Sequence, residues 1–102
     1  MRYESYVRVL IGRIFKLLPM REQTDEGVNV FLDMYISDLA DEATGACVTF
    51  PELYEVPLFV STVNSLNYLR YHWMEMEFGT YRSTVLKMTN DVADILGKRE
   101  AL

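Results

Sequence analysis

Residues 57–78 read PLFVSTVNSLNYLRYHWMEMEF, and the phase of their apolar side chains decides the fold. Phe59, Thr62, Leu66, Leu69, Trp73 and Met76 recur at spacings of three and four. At 100° per residue that spacing gathers them on one side of a helix, whereas a half-buried strand would need strict alternation. The charge-free run from Val56 to Leu69 is 14 residues long, short of the ~20 that a membrane-spanning helix needs. Pro57 suits the first turn and Gly79 is expected to stop the helix, so the prediction is one long helix from Leu58 to Phe78.

The same period continues on both sides. Downstream, Thr80 is expected to cap a helix from Tyr81 to Leu96, with Tyr81, Val85, Met88, Val92, Ile95 and Leu96 on one face and Gly97, Lys98 and Arg99 forming its C-terminal cap. Upstream, Cys47–Phe50 admits an extended reading. Thr49-Phe50-Pro51-Glu52 resembles the start of a helical turn, and a short helix is expected there, with Leu53, Tyr54 and Val56 plugging an end of the core. Before it, Val28, Phe31, Leu32, Tyr35, Ile36 and Leu39 define a helix from about Val28 to Ala43, capped by Thr24 or Asp25 and stopped by Gly45. At the start, Tyr3, Val7, Leu10, Ile11, Ile14, Phe15 and Leu18 form a stripe opposite Arg2, Arg13 and Lys16, and Pro19 is expected to end it. Gly12 interrupts this helix at a cost of roughly 1 kcal/mol relative to alanine, which a close helix–helix approach would justify. Short connections around Gly27 and Gly79 imply antiparallel neighbours. The expected architecture is all-α, an up-and-down bundle of four main helices with a short extra helical turn between the second and third, in one domain spanning 1–102.

Composition agrees. The chain has 102 residues, half of them hydrophobic and a quarter charged, with five Gly, three Pro and one Cys. That suffices for one core, excludes an internal disulfide framework and leaves too few Gly and Pro for a disordered chain. Arg13 and Lys16 interrupt any secretory hydrophobic segment, and the basic first stretch is read as the first helix of the domain, not as a transit peptide. A cytoplasmic location with no membrane contact is expected. Charge is segregated. Residues 1–21 hold five cations and only Glu4 as an acid, residues 22–57 hold nine acids and no Lys or Arg, and the remainder is neutral within a net charge of −5. Packing of the basic first segment beside the acidic second is the simplest account.

Catalytic signals are sparse. His72 is the sole histidine and Cys47 the sole cysteine, so neither a His pair nor a Cys pair exists to bind zinc or iron. Cys47 reads as a small hydrophobe and His72 as a partly buried, hydrogen-bonded core-edge residue. The five glycines are scattered and form no phosphate-binding loop. Asp38, Asp41 and Glu42 could project to one side, but a solvated acidic face accounts for them better than a Mg²⁺ or Ca²⁺ site. No enzyme, cofactor or metal is expected.

Two surfaces exceed what a bundle needs. Val30 and Met34 point away from the second helix's core stripe, beside Asp33, Asp38 and Asp41. An apolar strip bordered by acids suits contact with a partner. The third helix carries Asn64, Asn67, Tyr68, Tyr71 and Glu75 off its core face, and tyrosine adds rigid contact area with a polar tip. The expected interface is therefore Val30, Met34, Asp38, Asp41, Asn64, Asn67, Tyr68, Tyr71 and Glu75, in a non-catalytic interaction protein that binds a protein partner or forms a homodimer. The alternative is an acidic inhibitor whose carboxylates imitate nucleic acid in a basic site of another protein. Direct nucleic-acid binding is disfavoured by the net charge.

Overall fold

The computed structural model describes residues 3–22 and 26–101. Among them every regular element is helical: α1 (Glu4–Phe15), α2 (Leu17–Glu22), α3 (Glu26–Thr49), a 3-10 turn (Pro51–Glu55), α4 (Pro57–His72) and α5 (Phe78–Ala101). α1 and α2 form one bent rod, so the chain is the expected bundle of four main helices with the extra turn between the second and third. α1 lies against α5, α5 against α4 and α4 against α3, while α2 touches both α3 and α5. The 3-10 turn closes one end over α3 and α4.

One apolar cluster runs through the ring. Val7, Leu10, Ile14 and Leu17 come from the first rod, Leu32, Ile36, Leu39 and Ala43 from α3, Phe59, Leu66 and Leu69 from α4, and Tyr81, Val85, Met88 and Val92 from α5. Leu53 alone is fully buried from the 3-10 turn. Tyr6 meets Phe59 at 6.5 Å between ring centroids, and the Tyr81 hydroxyl donates to the Leu17 carbonyl at 2.7 Å. Glu4 is buried as well, a carboxylate that the apolar stripe gave no reason to expect inside.

Several helix boundaries depart from expectation. Pro19 does not end the first helix; it sits inside α2, and the rod breaks at Lys16 instead. Proline cannot donate to the carbonyl four residues back, and its ring crowds that carbonyl, so the disruption falls on Phe15–Lys16. Gly45 does not stop α3, which runs on to Thr49 because Ala46 and Cys47 continue the buried face. The stop comes at Phe50, which leaves the helical region at φ −124° and ψ 82° ahead of Pro51, and Val56 is extended ahead of Pro57. Cys47, Val48 and Thr49 are accordingly helical, not a strand. α4 ends at His72, well before Gly79, and Gly79 and Thr80 lie within the first turn of α5. Gly97 lies inside α5, and no glycine or other described residue has positive φ. Gly12 has no heavy atom within 4 Å of the position a Cβ would take, so no close approach within the chain explains it. The expected caps at Thr24 and Asp25, and the side chains of Arg2, Val28, Lys98 and Arg99, lie outside the described residues.

Candidate interaction surface

α3 and α4 are joined along one flank by polar contacts at helical spacing. Arg70 on α4 donates through Nη2 to the Ser37 carbonyl at 2.7 Å and to Asp41 Oδ1 at 2.6 Å. Its other arm reaches Asn67 Oδ1 at 3.4 Å, and Asn67 Nδ2 donates to the Val63 carbonyl at 3.0 Å. One turn further along, Trp73 Nε1 donates to Asp33 Oδ1 at 2.9 Å. Asp33, Ser37 and Asp41 thus form the column of α3 that faces α4. The hydrogen bond that Arg70 donates to Asp41 holds the Arg70 pKa above its ordinary value.

Outside that column the surface turns apolar. Val30, Phe31 and Met34 are 62%, 61% and 61% exposed, with Asp38 exposed one turn beyond Met34. Phe31, expected in the core, instead lies at the surface with its ring tilted against that of Tyr35, 6.4 Å between centroids. Its angular position lies off the buried stripe of Leu32, Ile36 and Leu39, and that offset was the available clue. Across the seam, Tyr71 is exposed and lies 5.8 Å from the Arg70 guanidinium, and Met74, further along the chain past Trp73, is exposed as well.

The opposite flank of α3 faces α1. Glu42 pairs with Arg13, whose carbonyl accepts the Tyr35 hydroxyl at 2.9 Å. Asp41 and Glu42 therefore diverge toward α4 and α1, and among the described residues no group of three metal-ligating side chains comes together. The basic and acidic segments meet here, as the charge segregation suggested.

Asn64 and Tyr68 occupy a different place. They line an open groove of about 710 Å³ between α4, α5 and the 3-10 turn, together with Tyr54, Ser61, Thr84 and Lys87. Tyr54, expected to plug the core, is exposed on this groove because Leu53 fills the core position. Lys87 pairs with Asp91 at 2.7 Å. Glu75 lies beyond the end of α4, its Oε2 3.8 Å from His72 Nδ1. His72 is exposed, not partly buried, and stacks on Tyr68 at 4.4 Å.

The nine expected interface residues thus divide. Val30, Met34, Asp38, Asp41, Asn67 and Tyr71 border the α3–α4 seam, Asn64 and Tyr68 line the groove, and Glu75 caps the end. Arg70, which organises the seam, was missed because a lone cation on α4 carries no periodic signal. Cys47 is buried near the C-terminal end of α3, and burial pushes its thiol pKa up. His72 lies beside the other end of α3, since its neighbour Trp73 bonds Asp33. Fourteen residues of helix separate positions 33 and 47, on the order of 20 Å, so the sole thiol and the sole imidazole do not form a dyad. No family model, curated protein or solved structure matches this chain.

Proposed function

We infer that the chain is a non-catalytic protein–protein interaction module that associates with itself through the outer side of α3 and the exposed side of α4. One observation carries this: Val30, Phe31 and Met34 stand exposed together on α3 while the core stripe is complete without them. Burying large apolar side chains that water otherwise surrounds is the principal driving force for association. Tyr71 and Met74 extend the apolar area across the seam. A cytoplasmic setting fits a single buried thiol, and among the described helices none is long and apolar enough to cross a membrane.

The acidic-inhibitor alternative has less support, because Asp33, Asp41 and Glu42 already engage Trp73, Arg70 and Arg13. Light scattering over rising concentration tests the proposal. The mass should climb above the chain mass of 11.9 kDa, and Met34→Glu should return it to the monomer value while circular dichroism stays helical. A wild-type mass that stays at one chain throughout contradicts self-association.

A further inference from the structure

The outer face of α1 complements the outer face of α3. Val9 and Phe15 are 60% and 52% exposed on α1, and Arg8 and Lys16, also exposed, stand beside them. On α3, exposed Val30, Met34 and Val48 are accompanied by Asp38, in a segment without a Lys or Arg from 22 to 57. Each face is an apolar strip with charge of one sign, and the signs are opposite. Their attraction is already used once inside the chain, where Arg13 of α1 pairs with Glu42 of α3.

We propose that a second copy of this chain docks its α1 outer face on the α3 outer face of the first, a head-to-tail contact. This deepens the self-association proposed above and rests on it. Charge selects the pairing. Placing α3 on α3 would bring Asp38 toward its own copy, and α1 on α1 would do the same with Lys16, whereas α1 on α3 brings these unlike charges together.

The glycines fit the same geometry. Gly12 lies between Val9 and Phe15, and Gly45 lies between Asp41 and Val48. Both are exposed within helices, and nothing comes within 4 Å of an added Cβ. Bare backbone at Gly12 on the α1 face and at Gly45, near the C-terminal end of the α3 face, lets two helices approach closely there. α1 is 12 residues long, about 18 Å of helix at 1.5 Å per residue. A contact that short belongs to the weak, concentration-dependent class. Because the two faces differ, each copy retains one of each, and association continues into chains or rings.

Two neutral blocking variants test this, Gly12→Gln on α1 and Gly45→Gln on α3. Both place a side chain in open space within a helix, so both should remain helical with melting temperatures no lower than wild type. In sedimentation at low salt, the wild type should show a mass rising with concentration, and each variant alone should not associate. Each variant alone still has one intact face, but its partner face is blocked on every copy, so the expected result is the monomer mass. Mixed in equal amounts, the two variants should form a pair of twice the 11.9 kDa chain mass and grow no further, since only one intact face of each kind remains. Raising the salt to about 0.5 M should weaken that pair, because screening shortens the reach of the charges. If both variants associate like the wild type while Met34→Glu abolishes association, the head-to-tail contact is wrong and the self-association proposal stands. A mixture that stays monomeric also overturns the head-to-tail contact. A monomeric wild type overturns both.

Discussion

The Arg21 guanidinium lies 4.7 Å from the Tyr81 ring centroid and 5.9 Å from that of Trp73, and its Nη2 donates to the Met76 carbonyl at 2.6 Å. One side chain from α2 thereby fixes the turn between α4 and α5. Arg21→Met keeps the stem but removes the charged hydrogen bond and both cation–ring contacts, and should cost about 2 kcal/mol in urea unfolding. Two tyrosines, half-buried Tyr6 and buried Tyr81, set a limit at alkaline pH. Burial, with Glu42 second, pushes Tyr6 from 10.0 up to about 12, and burial also raises Tyr81. The folded chain holds these protons at pH values where the unfolded chain has lost them, so stability is intact below pH 10 and falls as the pH rises toward 12. Unfolding midpoints measured across that range should show the decline, and Tyr6→Phe should make it shallower.

At the scale of the element, the buried faces were legible and the ends were not. The stripes Val7–Leu10–Ile14, Leu32–Ile36–Leu39, Phe59–Leu66–Leu69 and Tyr81–Val85–Met88–Val92 are the core, because periodicity reports directly on which side faces the apolar interior. Glycine reports only a cost. Gly45 lies inside a helix whose packed face continues past it through Ala46 and Cys47, since tertiary burial outweighs a local penalty of about 1 kcal/mol. The proline breaks before Pro51 and Pro57 were readable from sterics. The end of α4 at His72 was not, because Arg21 and Asp33, distant in sequence, hold the turn that follows. The candidate surface was legible for Val30 and Met34, which sit opposite the core stripe. It was illegible for Phe31 and Tyr54, where an apolar or aromatic residue at the edge of a stripe could face either way. Gly12→Ala and Gly45→Ala should each stabilise the chain by ~0.5–1 kcal/mol in thermal unfolding, because neither position has positive φ and an added Cβ meets nothing.

At the scale of the molecule, charge and shape bear on association. The bundle measures 44 × 24 × 18 Å with a radius of gyration of 13.6 Å. Its basic and acidic segments lie side by side and meet at Arg13 and Glu42. Lys16 and Asp38 are exposed beside apolar side chains on the outer faces of α1 and α3, and the proposed contact between copies should weaken with salt. Small-angle X-ray scattering over a dilution series tests this most directly, because it reads particle size and mass together. The account predicts a radius of gyration near 13.6 Å at the dilute limit, with size and mass-normalised forward scattering both rising as concentration increases at low salt. Forward scattering per unit mass that stays flat at the value of one chain across the whole series would contradict it.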